Sequence, residues 1–252
     1  MMRLLLVLLC LMAALPARAE RVVAGLSQTQ VAINTSFSGS EILIFGAVRR
    51  EAPLPEGALH VVVTVAGPSG PVTVRRKARR FGIWVNTEAV VIDAAPSFYA
   101  VASTAPLAQA LSQDEDMRHK VSIPRAIRAT GTAAQAADSE NFIEALVRIR
   151  SRVGLYQVLP GEVALTEDTL FRTSIALPAN LTEGDYRTRI FLTREGEVID
   201  AFETAITVRK VGLERWTYML AHERPLVYGL LSLAIAIAAG WGASAAFRLI
   251  RG

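Results

Sequence analysis

An uncharged stretch near the C-terminal end, Pro225–Phe247, constrains this chain more than any other feature. Its 23 residues include no Asp, Glu, Lys or Arg. As an α-helix the stretch would be roughly 34 Å long, enough to cross the hydrocarbon core of a bilayer, which is about 30 Å thick. A helix can cross because its backbone hydrogen bonds are all internal. The sequence therefore predicts a transmembrane helix at residues 225–247, preceded by a juxtamembrane helix at residues 211–224.

The other end of the chain has the features of a secretory signal peptide, at residues 1–19. A basic residue, Arg3, precedes the apolar run Leu4–Leu15, which is too short to span a bilayer. Ala17 and Ala19 then form an A-x-A cleavage signal. A first membrane anchor is the alternative interpretation, and the length of the apolar run favours cleavage.

These two segments together predict the topology. A cleaved signal peptide would carry the region 20–224 across a membrane, and the apolar stretch would stop transfer. Residues 248–252 would then form a cytoplasmic tail, in which Arg248 and Arg251 follow the positive-inside rule. Four of the 27 basic residues lie in the signal peptide or the tail, so the region between carries 23 basic and 23 acidic residues. A neutral region gives no reason to predict a nucleic-acid partner.

Neither a metal site nor a known catalytic motif is recognisable. The single cysteine, Cys10, lies in the predicted signal peptide, which excludes disulfides and thiolate chemistry from the cleaved chain. The three histidines, His60, His119 and His222, are not at ligand spacing. Nucleophile-elbow, Walker, dinucleotide-binding and zinc-protease motifs are not found. The sequence therefore predicts no cofactor and a non-enzymatic role.

The region 20–104 reads as a succession of short strands, rich in Val, Ile, Phe and Tyr and separated by Gly-, Pro- and Ser-containing turns. In one of them, Val61–Val65, apolar residues occupy both alternating faces, which predicts a strand buried on both sides. Many short strands with regular turns are typical of a sandwich. The predicted fold class is mainly β, with an immunoglobulin-like β-sandwich, a helical insertion and one C-terminal transmembrane helix.

A helical segment is predicted at residues 105–153. Phe142, Leu146, Ile149 and Val153 recur at the spacing of one helix face. An acidic cluster, Asp114–Asp116, reads as an exposed helix start.

Strands resume at residues 154–210, where Arg194–Glu197 has the composition of a hairpin turn. These later strands form either a second small sandwich or part of the first one. We slightly favour two domains.

A run of basic residues is the most unusual polar feature. Its members are Arg75, Arg76, Lys77, Arg79 and Arg80. In an extended strand the odd-numbered members would face one way and the even-numbered members the other. The functional interpretation is a contact for an anionic partner, either lipid headgroups or an acidic protein loop. The alternative is a solvated strand end whose arginines pair with carboxylates of the same fold. The neighbouring Trp84 is expected in the core.

Small residues recur every four positions in the predicted transmembrane helix. One stripe is Ala234, Ala238, Gly242 and Ala246, and a second is Ser232, Ala236, Gly240 and Ser244. We interpret them as two adjacent stripes that let another helix approach closely. The partner would be a second copy of the chain or a larger membrane protein. The alternative is that small residues are simply common in such helices.

Four segments carry a resemblance to a known family: Phe37–Gly46, Arg75–Asn86, Pro96–Ala100 and Leu159–Leu177. In these segments, and over nearly the whole chain, the sequence resembles a family of uncharacterised transmembrane proteins of alphaproteobacteria. The resemblance implies an inner-membrane protein with a periplasmic β-rich part, often encoded near permeases of the sulfite-exporter type. It supplies no catalytic residues.

The leading functional hypothesis is a membrane-anchored periplasmic module that assists or assembles with an inner-membrane transporter. The helix at Pro225–Phe247 would hold this partner. The alternative is a periplasmic module that binds an anion or a polysaccharide through Arg75–Arg80. An enzyme of unrecognised type is the third hypothesis.

Overall fold

The computed structural model describes residues 20–34, 37–50, 56–129, 139–211 and 213–251. The predicted signal peptide therefore lies outside the described residues. The chain divides into two compact units. The larger comprises Met1–Val31 and Ser38–Val208, and the smaller comprises Ala32–Phe37 and Arg209–Gly252.

The described chain is mainly β with one long apolar C-terminal helix, which confirms that part of the predicted fold class. The immunoglobulin-like assignment stays a prediction. The strands are β1 (Glu20–Leu26), β2 (Gln30–Ile33), β3 (Gly39–Arg50), β4 (Leu59–Ala66), β5 (Ser69–Arg80), β6 (Ile83–Pro96), β7 (Tyr99–Ser103), β8 (Tyr156–Pro160), β9 (Ala164–Thr166), β10 (Leu170–Pro178), β11 (Gly184–Arg194) and β12 (Glu197–Lys210). The helices are α1 (Leu107–Ala110), α2 (Gln113–His119), α3 (Ile123–Ala126), α4 (Ser139–Arg152), α5 (Leu213–Glu223) and α6 (Pro225–Arg251).

The strands form two larger sheets and one hairpin. The orders are β1-β3-β10-β9 in a four-stranded sheet, β2-β12-β11-β4-β7-β8 in a six-stranded sheet, and β5-β6. Both larger sheets contain early and late strands, since β3 pairs with β10 and β4 pairs with β11. This arrangement differs from the favoured division into sandwiches at 20–104 and 154–210. The physical reason is that the central strands need late strands as hydrogen-bonding neighbours.

Strand β4 shows this need most clearly. It lies between β11 and β7, and its residues Val61, Val62 and Val63 are fully buried. The polar Thr64 in the same strand is fully buried as well. The prediction of a strand covered on both faces is confirmed.

The helical segment packs against the base of the β5–β6 hairpin and against β7. Phe142 and Leu146 of α4 are buried in this core with Val74, Val90 and Tyr99. The rest of the predicted apolar face is not buried. Ile149 is 54% exposed and Val153 is 50% exposed. Only the first half of the apolar face is therefore covered, and α4 ends at Arg152, one residue before Val153.

The acidic cluster lies in the first turn of α2, as predicted, but only Asp114 of the three is exposed. Glu115 is buried, and its carboxylate pairs with Arg118 and lies 3.3 Å from His119 Nε2. Asp116 accepts hydrogen bonds from the backbone N–H and the hydroxyl of Ser122, each at 2.7 Å. Both carboxylates therefore fix α2 and the loop after it.

A buried ion cluster connects the two larger sheets at the start of β1. The Glu20 carboxylate accepts a hydrogen bond from Arg50 Nε at 2.8 Å and two from Arg194 Nη2, both at 3.0 Å. Burial raises the pKa of Glu20, but the hydrogen bonds and charges of the two arginines outweigh burial and hold that pKa below its ordinary value.

Candidate functional site

The basic run lies on the outer part of the hairpin made by β5 and β6. The turn consists of Phe81 (φ 49°) and Gly82 (φ 84°), so both central residues are in the left-handed region. Two such residues make the two-residue turn that matches the twist of paired strands. The register places Arg80 opposite Ile83 and Arg79 opposite Trp84.

Within the run, Arg76 differs from the other four residues. Its Nη1 lies 3.1 Å from Glu88 Oε2, and its guanidinium carbon lies 4.8 Å from the centre of the Phe142 ring. Arg76 therefore fits the alternative interpretation, in which the arginines of the run pair with carboxylates of the same fold. The other basic residues are exposed, and no carboxylate of the described residues forms an ion pair with them: Arg75, Lys77, Arg79 and Arg80.

Three large apolar side chains surround the turn. Phe81 is fully exposed, and Trp84 and Ile83 are 69% and 65% exposed. The prediction that Trp84 lies in the core was therefore wrong. Paired only with β5, this end of β6 lies in a two-stranded sheet, and its side chains lack a covering layer.

A groove of about 360 Å³ runs between β5 and α4. Basic groups dominate its polar lining, with Glu144 as the acidic member. Its lining includes Arg75, Arg76, Lys77, Phe142, Glu144 and Arg148. The groove therefore adds Arg148 to the residues that sequence reasoning selected.

A second cavity, also about 360 Å³, was not predicted from the sequence. Its lining includes Tyr99, His119, Lys120, Arg187 and Arg189. Its polar groups are engaged within the fold. Tyr99 donates its hydroxyl to the Val121 carbonyl at 2.8 Å, and Arg189 donates to the carbonyls of His119 and Lys120. Burial raises the pKa of the Tyr99 phenol, against the opposing effect of Arg189. Tyr99 therefore acts as a structural hydrogen-bond donor.

The histidines are separate from one another in the structure. His60 Nδ1 lies 3.0 Å from Thr104 Oγ1, His119 contacts Glu115, and His222 Nδ1 lies 2.9 Å from the Tyr218 carbonyl oxygen. In the part of the chain that the structure describes, no three His, Cys, Asp or Glu side chains lie close enough together to hold a metal ion.

Helix α6 contains one apolar segment long enough to cross a membrane, Pro225–Ala246, and none of its most apolar part is buried. The two small-residue stripes are present but not adjacent. A step of two residues turns an α-helix by about 200°, so the stripe with Gly240 and the stripe with Gly242 lie on opposite faces. An added Cβ would meet nothing within 4 Å at either glycine. The helix therefore has two opposite faces of small residues.

Within the described residues, a β-rich region precedes one exposed apolar helix, and this arrangement suggests a single-pass membrane protein. A model of the family described as "Putative transmembrane protein (Alph_Pro_TM)" matches residues 21–249. The chain belongs to this family.

Among solved structures, the chain is similar to Spo0M, a sporulation control protein from Bacillus subtilis, with a TM-score of 0.28 and 10% identity. The match covers 81% of this chain, which spans only 55% of that structure. A comparison with curated proteins found no match.

Proposed function

We propose that this protein is a non-enzymatic module of the bacterial inner membrane that assists or assembles with a transporter. The observation that carries the proposal is the apolar helix α6, which has no buried residue in its most apolar part and carries two faces of small residues. In lipid, helices associate through close packing at such residues. The small-residue faces of α6 would pack against the transmembrane helices of the transporter.

The proposed topology has the β-rich region in the periplasm and the C-terminus in the cytoplasm. The A-x-A pattern at Ala17 and Ala19, after an apolar run too short to span a bilayer, supports the removal of residues 1–19. Membrane lipid and the transporter are then the partners, and no cofactor is needed.

Single Gly→Leu substitutions test the helix contact, one on each face. We expect the full-length protein, cross-linked in membranes and purified in detergent, to bring a transporter with it. Gly240→Leu or Gly242→Leu should lower that recovery by about tenfold or more, because a leucine prevents the close approach of a second helix.

The two variants are matched controls for each other, since they add the same side chain to opposite faces. Loss with one and retention with the other identifies the contact face. Recovery only of single copies, unchanged by both substitutions, would refute the transporter contact. Recovery of paired copies alone would replace it by self-association.

The groove beside α4 favours a second candidate function, the binding of an anion or an acidic polysaccharide. Arg76 and Arg148 line the groove together with Arg75 and Lys77. Charge reversal at Arg76 and Arg148 should then weaken the binding of polygalacturonate to the detergent-solubilised protein by at least about tenfold. This follows because about 1.4 kcal/mol changes affinity tenfold, and each ion pair contributes on that order.

Titration calorimetry measures this effect, and circular dichroism verifies that the variant is folded. Charge reversal at the exposed Arg125 and Arg172 is the matched control. Equal affinity of the Arg76/Arg148 variant and the unchanged protein would exclude this site.

A further inference from the structure

We propose that the β5–β6 hairpin is a second membrane contact, which inserts its tip into the headgroup region of a bilayer that contains anionic lipids. Phe81, Ile83 and Trp84 would enter the interface, and the outward-facing basic residues would bind lipid phosphates. The proposal rests on the membrane-spanning role of α6. It does not depend on a transporter partner.

The first argument is the exposure of the tip. Phe81, Ile83 and Trp84 occupy three of four consecutive positions, and each is at least 65% exposed. Exposed apolar residues are usually scattered singly, and a contiguous apolar patch marks an interaction site. Phe81 also has a positive φ, which bulky side chains rarely adopt. Packing within the fold therefore does not explain why a phenylalanine occupies this position of the turn.

The second argument is the reach of the hairpin. The pair Val74 and Val90 is buried at its base, and Arg80 follows Val74 by six residues along β5. At the rise of a β-strand this separation is roughly 20 Å. The tip therefore extends well beyond the last buried pair of the hairpin.

The third argument distinguishes lipid from a folded protein partner. Cross-strand partners share a face, so Trp84 lies on the face of Arg79, whereas Ile83 lies on the opposite face with Arg80. Phe81 lies at the end between the two faces. A docking patch for a protein is usually confined to one face of a helix or sheet. Here the apolar side chains lie on both faces of the hairpin and at its end. This distribution suits a fluid interface, which can surround the tip on all sides.

The fourth argument is the charge next to the apolar tip. Arg75, Lys77 and Arg79 alternate along the face that carries Trp84, and no described carboxylate forms an ion pair with any of the three. Aromatic residues prefer the membrane interface, and basic residues close to it are attracted to anionic lipids. Because α6 already holds the chain at a bilayer, the hairpin needs only modest affinity to remain inserted.

The test uses Trp84 as the reporter in the full chain. Trp216→Phe and Trp241→Phe leave Trp84 as the only tryptophan. The protein is reconstituted into vesicles of phosphatidylethanolamine and phosphatidylglycerol whose acyl chains carry bromine, a contact quencher. We expect bromine to quench Trp84 and its emission to shift to the blue, with protection from acrylamide in the water.

The charge variant Arg75→Gln/Lys77→Gln/Arg79→Gln should lower the ratio of inserted to free tips by roughly fivefold for each charge, or about 100-fold in all, because each basic residue near an anionic surface contributes on the order of 1 kcal/mol. Added salt should reduce insertion in the same direction. The matched control is Arg125→Gln/Arg152→Gln/Arg172→Gln, which removes three exposed charges elsewhere. Circular dichroism verifies folding.

Three results would overturn the proposal. In the first, acrylamide quenches Trp84 and bromine does not, which places the tip in water. In the second, Trp84 is protected from both quenchers, which indicates a protein partner or a second copy. In the third, insertion is equal in vesicles without phosphatidylglycerol, which removes the role of anionic lipid. None of these variants changes Gly240 or Gly242, so a failure here is distinguishable from a failure of the transporter proposal.

Discussion

Replacing Glu20 by Gln should lower the free energy of unfolding by about 3–5 kcal/mol, because breaking a buried ion pair leaves uncompensated charge in the interior. The Glu20 carboxylate is 5% exposed, and the side chains of Arg50 and Arg194 are 15% and 11% exposed. Gln keeps the size of the side chain but removes the charge that both arginines face. The substitution therefore isolates the electrostatic contribution of a cluster that joins β1, β3 and β11.

Chemical denaturation of the detergent-solubilised full chain, followed by circular dichroism, measures the loss. The matched control is Glu203→Gln, which breaks an ion pair with Arg187 in which both side chains are more than half exposed. An exposed pair contributes under about 1 kcal/mol. Equal effects of the two substitutions would show that the Glu20 cluster does not stabilise the fold.

The lowered pKa of Glu20 gives the same prediction a pH dependence. The folded state holds the carboxyl ionised more strongly than the unfolded state does. The contribution of Glu20 is therefore fully present above the ordinary carboxyl pKa and is lost as pH falls through the lower folded-state pKa. In acid, the unchanged protein should lose more stability than the Gln variant, and the two should converge.

The second large effect is expected for Gly46→Ala, which should lower the free energy of unfolding by about 3 kcal/mol. A Cβ at this position would lie 2.5 Å from the Val23 carbonyl oxygen and 2.5 Å from Phe171 Cζ. Gly46 is opposite Ala24 on β1 and Phe171 on β10, so the strand has no room to shift. Only glycine lets the buried Phe171 ring cross β3 at this place.

Gly70→Ala is the matched control, because an added Cβ there meets nothing within 4 Å. We expect a change within about 0.5 kcal/mol for this control, as for most surface substitutions. Phe171→Leu combined with Gly46→Ala should recover part of the loss, since a smaller side chain frees the space above β3. Equal stability of the two Gly→Ala variants would contradict the argument from close packing.

Local signals in the sequence predicted the features that depend on neighbouring residues. The apolar run of β4 predicted that this strand is buried. The composition of Arg194–Glu197 predicted the turn between β11 and β12, in which Glu195 and Gly196 have positive φ. The same kind of signal was present at Phe81-Gly82, between two strand-forming runs, and would have predicted the long hairpin. Ser112 and Glu115 likewise have the spacing of a capping box, and the Ser112 hydroxyl accepts from the Glu115 N–H.

Long-range features could not be predicted in this way. No sequence pattern near Ser40 indicates that it pairs with Leu177 rather than with a residue of an earlier strand. The burial of Trp84 was predicted from its residue type, but burial depends on what covers the strand. The stripes of α6 are different, because helix geometry alone corrects the prediction that they are adjacent. An offset of two residues places Gly240 and Gly242 on opposite faces.

The pairing of early strands with late strands in both larger sheets has a consequence for how the chain is made. Strand β3 is central in its sheet, and its second neighbour, β10, ends only at Pro178. During synthesis from the N-terminus, one edge of β3 therefore remains without its partner until that residue has emerged. Contacts so distant in sequence slow folding and leave strand edges open to aggregation. We therefore expect the nascent chain to expose an open edge of β3 throughout the synthesis of the residues between β3 and β10.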